Sequence, residues 1–219
     1  MKHAPTNPRR RLCGPAAVAL VAFLGASGIA HARAKLIDLH LAILGGGMTG
    51  DGTAKVPPDF FHQTRGPGLG AELGLRLVII DLSIRFLQML GSDGRQGTLT
   101  SIMLGPMVEI PVKGGGKDAF GNSRPPQVVV RPGLVAGVGF GTPAPVSPPL
   151  SADQISGKGL MVLGRFAVER MFGPIFGLGA EVQGGYHYFL GASGLATGND
   201  RSSGWQLAGF GTLAFHFGI

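Results

Sequence analysis

The last fifteen residues, 205–219, read WQLAGFGTLAFHFGI, and they alternate. Trp205, Leu207, Gly209, Gly211, Leu213, Phe215, Phe217 and Ile219 fall on one side, an uncharged face with aromatic rings at both ends. Gln206, Ala208, Phe210, Thr212, Ala214, His216 and Gly218 fall on the other. A period of two is the signature of a β-strand, whose successive side chains leave on opposite faces. The same alternation recurs upstream. Residues 36–44 set Ile37, Leu39, Leu41 and Ile43 against Asp38, His40 and Ala42. Residues 69–77 set five apolar positions, Leu69 to Leu77, against Gly70, Glu72, Gly74 and Arg76. After a short turn near 78–80, residues 81–89 set Leu82, Ile84 and Phe86 against Asp81, Ser83 and Arg85.

Four more strands complete the series. Residues 98–112 place Ile102, Leu104, Pro106, Val108 and Ile110 opposite Ser101, Met103, Gly105, Met107 and Glu109. In 127–140, Val128, Val130, Leu134, Ala136 and Val138 oppose Arg131, Gly133, Gly137 and Gly139. Residues 158–169 set Val162, Phe166 and Val168 against Arg165 and Glu169. Residues 175–190 set Leu178, Ala180, Val182, Tyr186 and Tyr188 against Glu181, Gln183 and His187. Segments rich in Gly, Pro and Ser read as loops at 45–66, 91–97, 113–126, 141–157 and 191–204, and Phe172-Gly173-Pro174 as a tight turn. Eight strands of this length each suffice to cross a bilayer, where ~9–11 tilted residues are needed. An even count puts both chain ends on one side. Pro106 and Pro132 lie inside strands, where each removes a ladder hydrogen bond, so bulges are expected there.

Alternation alone does not say which face meets water, because a soluble lipocalin-like barrel alternates too. The non-apolar face decides. It is mostly Gly, Ala and Ser with a few Arg and Glu, and Lys is absent from strand middles. Small residues with sparse charges suit a narrow lumen, which an eight-stranded barrel fills with side chains. An arginine on a lipid face at mid-bilayer costs ~2–4 kcal/mol, and this register avoids it on every strand. The expected fold is therefore all-β, a closed antiparallel up-and-down barrel with its apolar face outward.

Composition agrees with that picture and sharpens it. Only 14% of the 219 residues are charged and 39 are glycine, without a collagen period. Residues 1–32 read as a secretory signal: Lys2 and Arg9–Arg11, then the apolar run 16–24, then Ala30-His31-Ala32 as a cleavage site. The run is too short to span a bilayer, and no later segment could do so as a helix. Cys13 precedes the apolar run rather than following it, which argues against a lipoprotein signal. A mature chain of 33–219 keeps 15 of the 19 basic residues and all 12 acidic ones, so its charge is 15 − 12 = +3 rather than +7. The high isoelectric point thus gives little support to nucleic-acid binding, and the mature chain carries no cysteine for a disulfide or thiolate site.

A final strand ending in aromatics, with eight alternating strands behind a secretory signal, resembles the eight-stranded bacterial outer-membrane barrels of the OmpA-type transmembrane domain and the OmpW-like proteins. The resemblance covers 36–219 and is one of pattern. It implies a transmembrane barrel of the outer membrane, contact with outer-membrane lipids, assembly through the C-terminal strand by the barrel-assembly machinery, and a monomer. It implies no cofactor.

The inward charges are the main candidate constellation. Asp38, Glu72, Glu109 and Glu181 are expected to pair with Arg76, Arg85, Arg131 and Arg165 in the lumen, since a buried charge must be paired. Such a set is a rigid plug or the gate of a narrow ion path. His40, His187 and His216 also point inward, but His40 reads as mid-strand, His187 as near the outer end and His216 as near the periplasmic end, so no metal site is expected. No Ser-His-Asp cluster is legible from spacing, which sets a lipid-modifying hydrolase behind a structural role and a porter. The stretch GPGLGA at 66–71 matches a dinucleotide fingerprint but enters a strand rather than opening a helix, the wrong context. Tyr186, Tyr188, Trp205, Phe215 and Phe217 read as interfacial anchors. Phe60-Phe61, within Asp59-Phe60-Phe61-His62, is a further exposed aromatic pair. A short echo, GLGAEL at 68–73 and GLGAEV at 177–182, reflects a shared need for small residues beside an inward carboxylate.

Overall fold

Nine antiparallel strands form one sheet in the order β4-β3-β2-β1-β9-β8-β7-β6-β5, and a further β4–β6 pairing closes it into a cylinder. They are β1 (Ile37–Ala54), β2 (Gly66–Leu77), β3 (Ile80–Leu90), β4 (Gln96–Pro106), β5 (Ile110–Gly114), β6 (Pro126–Thr142), β7 (Ser156–Phe172), β8 (Phe176–Ala192) and β9 (Arg201–Gly218). This is a computed structural model, and it describes residues 36–54, 66–90, 96–114, 126–142, 156–192 and 201–218. The signal segment 1–32, the pair Phe60-Phe61 and most of the expected loops lie outside the described residues.

β4 and β5 are two halves of one crossing. Both lie on β6 in a single register, with Leu104 opposite Ala136, Met107 opposite Gly133 and Ile110 opposite Val130. The barrel therefore has eight crossings. The ladder breaks at 108–109, where Val108 donates to the Pro132 carbonyl at 3.0 Å. Pro132 has no N–H to return, so the two prolines interrupt the same stretch from opposite strands. Bulges expected at both prolines are corrected accordingly. β6 runs unbroken through Pro132, and the register shifts fall instead between Pro111 and Gly114.

Two other expectations change. Residues 45–54 belong to β1 rather than to a loop: Gly45, Gly46 and Gly47 pair with Gly211, Phe210 and Gly209, and pairing continues to Ala54 opposite Ser202. Backbone pairing needs no side chain, so a glycine run hides a strand from a reading based on alternation. Gly46 is required there, since a Cβ would run into the Gly209 carbonyl oxygen and lie 2.7 Å from the Phe210 Cα. The closing strand likewise starts at Arg201, ahead of Trp205.

The ends of the cylinder differ. At one end lie both termini of the barrel and the tight turns after Leu77 and Phe172; this is called the turn end, and its opposite the loop end. Val78 adopts φ 56° in the first turn, and Gly173 adopts φ +84° in the second, where glycine carries no Cβ penalty.

The two faces sort as alternation requires. β3 is exposed at every even position and buried at every odd one from Asp81 to Leu90. Outward side chains are mostly apolar on every crossing, with Leu73 at 49% and Val182 at 52% exposure. Lys158 and Arg170, both on β7, are exposed charges on this face.

Candidate functional site

The lumen of the turn half is packed with charge, and the charge is organised in two closed rings. The first runs around the wall. Arg76 on β2 donates to Asp38 on β1 at 2.6 Å and to Glu109 at 2.8 Å. Arg131 on β6 donates to the same Glu109 oxygen at 3.0 Å and, through its other arm, to Glu169 on β7. His216 on β9 closes the circle, with Nδ1 3.0 Å from Asp38 and Nε2 3.0 Å from Glu169.

That closure constrains protons. Carboxylates only accept hydrogen bonds, and a neutral imidazole carries one N–H. Two ionised carboxylates on the two His216 nitrogens therefore need one proton more than a neutral imidazole supplies. With it, two arginines and one proton balance Asp38, Glu109 and Glu169.

The second ring crosses the bore toward the loop end. Glu72 on β2 accepts from Arg85 on β3 at 2.6 Å and from Arg165 on β7 at 2.9 Å. Glu181 on β8 accepts from the same two arginines, at 2.7 Å each. Arg85 also donates to Gln183 at 2.7 Å. Two carboxylates and two guanidiniums thus alternate in a four-membered cycle that ties β2 and β3 to β7 and β8 across the lumen. His40 stands beside it, 3.3 Å from Glu72.

All eight charged residues singled out in the sequence lie in these two rings, and each is buried except Glu109, whose side chain is 29% exposed. Three participants were missed. Glu169 and His216 complete the first ring, and Asp81, with no exposure, lies 3.7 Å from Arg165 and 4.0 Å from His40. The inward parity of all three was legible; their height was not. The placing of the histidines is corrected as well. His40 and His216 are direct register partners with ring centroids 6.0 Å apart, because β1 runs on to Ala54 and leaves His40 near its start. Each is engaged by different carboxylates, and among the described residues no three His, Cys, Asp or Glu side chains are grouped to hold a metal ion.

Beyond the second ring the interior turns apolar. Leu44, Leu87, Met89, Leu99, Val135 and Met161 are each 2% exposed or less. Phe210 joins the two regions, its ring 5.5 Å from the Arg85 guanidinium carbon. His187 and Gln206 are buried at the loop end of this layer. Unbranched methionine fills irregular gaps well, which suits a bore walled by strands of unequal length. Small cavities remain among the described residues. One of about 50 Å³ lies between the rings, lined by His40, His216, Glu72, Glu169 and three arginines. Another, about 10 Å³, separates Arg85 from Met103 and Met161. The first has room for roughly three waters and the second for about one. Neither admits a hydrated ion.

The aromatic candidates sit at both ends of the outward face. Tyr186 and Trp205 are direct partners on β8 and β9 toward the loop end, 56% and 50% exposed, with Tyr188 half-buried above them. Phe215 and Phe217 lie at the turn end, and Phe215 packs on Phe176 with ring centroids 5.5 Å apart. GPGLGA enters β2 as a strand, with no helix behind it.

No protein-family model matches the chain, and no curated protein sequence does so. Solved structures similar to the chain include the following two. The N-terminal β-barrel domain of Pseudomonas aeruginosa OprF shares 16% identity over 81% of this chain and 97% of that one, with a TM-score of 0.45. Neisserial surface protein A shares 10% identity over 83% of this chain and 97% of that one, with a TM-score of 0.48.

Proposed function

We propose that this chain is an outer-membrane β-barrel with a sealed lumen, serving as a structural or surface-exposed component of the bacterial envelope. The observation that carries the reading is the inversion of the usual polarity. Asp, Glu, Arg and His side chains fill the inside, while leucines, valines and phenylalanines cover the outside.

The height of the apolar belt supports it. On β7 the outward residues between Lys158 and Arg170 are uncharged. At ~3.3 Å per residue and a tilt of ~45°, that stretch rises about 28 Å along the bilayer normal. Spanning barrels carry an apolar band about 25 Å tall. Tyr186, Tyr188 and Trp205 at one edge, with Phe215 and Phe217 at the other, suit the two membrane–water interfaces. In this reading the mechanism is mechanical: the barrel holds the segments between β1 and β2, β6 and β7, and β8 and β9 at the cell surface.

The sealed bore weighs against the alternative of a narrow channel or hydrophobic-ligand porter. An ion would have to break two ionic rings and then enter a layer of leucine and methionine. The reading is tested by fractionating cells and running the membrane fraction on a gel with and without boiling. An envelope barrel is found with the outer membrane and migrates faster unboiled. Recovery in the soluble periplasm, with no mobility change, would refute it.

A further inference from the structure

Arg170 is an exposed cation on the outward face of β7, and its setting is unusual. Its register partners are Val128 on β6 and Leu178 on β8, both apolar. Among the described residues no carboxylate lies within ion-pair distance of it. Its guanidinium carbon instead lies 5.2 Å from the ring centroid of Phe172, the next outward residue toward the turn end. Phe172 in turn packs on Phe176 at 5.7 Å, and Phe176 on Phe215 at 5.5 Å. The side chain therefore bends away from the belt and toward the barrel's turn-end rim, lying along an aromatic row.

This is a snorkelling cation in cation–π contact with a ring. A guanidinium stacked on a ring gives one flat face to the π-system and keeps its in-plane N–H donors free. Those donors need an acceptor, and the protein supplies none among the described residues. At the edge of a bilayer the anion at that depth is a phosphate, whose geometry matches the guanidinium fork. The surroundings fit a ligand that brings its own hydrocarbon. Val168 is 40% exposed and Leu178 52% exposed, on the bilayer side of the charge. A protein carboxylate would bring no chain to cover them.

We infer that Arg170, stacked on Phe172 and flanked by Phe176 and Phe215, forms a binding site for the phosphate headgroup of an anionic phospholipid in the turn-end leaflet. The inference rests on the membrane-spanning reading above. Lys158 is an outward cation toward the other edge, and among the described residues no aromatic ring lies over it.

The test uses the full barrel in phosphatidylcholine vesicles containing a minor fraction of phosphatidylglycerol. Lys158→Gln is introduced first, so that lipid bound at the other edge does not contribute. Bound lipid is counted by native mass spectrometry after gentle detergent release. One cation near a bilayer surface corresponds to about 5-fold enrichment of the anionic lipid over its bulk ratio. Arg170→Gln should return the ratio to bulk, and Phe172→Leu should lower it while leaving the charge in place. An unchanged ratio in Arg170→Gln, or no enrichment before that change, overturns the inference. Each variant is checked for faster migration unboiled. Loss of that shift in the parent protein would count against the barrel reading itself; a normal shift without enrichment would count only against the lipid site.

Discussion

His216 and Asp38 meet at 3.0 Å although 178 residues separate them in the chain. The contact joins the last strand to the first, inside the barrel, where β1 pairs with β9. Removing one partner of a buried ion pair leaves the other charge unpaired and costs about 3–5 kcal/mol. Asp38→Leu is therefore expected to destabilise the folded barrel by that order, and the double variant Asp38→Leu with His216→Phe by clearly less than the sum of the two single changes. Urea unfolding followed by fluorescence of Trp205, the single tryptophan, measures both.

The two ionic rings and the apolar layer act in series in the bore, and they can be separated. Replacing Glu72, Arg85, Arg165 and Glu181 together by alanine removes the second ring, but Leu87, Leu99 and Met161 still close the passage. Planar-bilayer recordings should show background conductance for the parent protein and for this variant. Adding Leu87→Ala and Met161→Ala leaves the first ring as the last barrier, so open-channel current is expected only when that ring is replaced by alanine as well. Conductance in the unmodified barrel would contradict the sealed-lumen account.

Two glycines on the β1–β9 seam should respond in opposite ways. Gly46 faces inward, where an added Cβ would run into the Gly209 carbonyl, while a Cβ at Gly209 has nothing within 4 Å. Gly46→Ala forces a backbone shift and is expected to cost about 1–3 kcal/mol, the usual range for overpacking. Gly209→Ala should be neutral within about 0.5 kcal/mol. The fraction of unboiled protein in the fast-migrating band reports each.

Charge placed on the outside is penalised only by hydrocarbon. Val182 is 52% exposed at mid-strand on β8. Val182→Arg should destabilise the barrel in vesicles by about 2–4 kcal/mol. On a water-facing surface the same change is normally within about 0.5 kcal/mol. The comparison is made by denaturant titration of the two proteins in the same vesicles.

The fold was largely legible because parity along a strand is a strictly local property. Leu69 to Leu77 alternates without exception, so its faces could be read directly. Height along the axis is not local. It depends on the stagger between neighbouring strands and on where each strand ends, which is why His40 and His216 looked separated and are register partners. The glycines at 45–47 show a related limit: they pair through the backbone and leave no side-chain pattern to read. The apolar seal was hidden for another reason. Leu87 and Met89 point inward within the apolar stretch FLQML, where inside and outside carry the same kind of residue. Asp81 and Glu169 were visible as inward carboxylates, yet only the folded stagger brings them level with Arg165 and Arg131.

The claim on which the rest depends is that the outward face meets lipid, and Trp205 reports on it directly because it is the single tryptophan and projects outward at 50% exposure. Fluorescence of the folded barrel in vesicles of brominated phosphatidylcholine should be strongly quenched relative to unbrominated vesicles, with little quenching by aqueous iodide. Unchanged fluorescence in brominated lipid, with full quenching by iodide, would contradict the account.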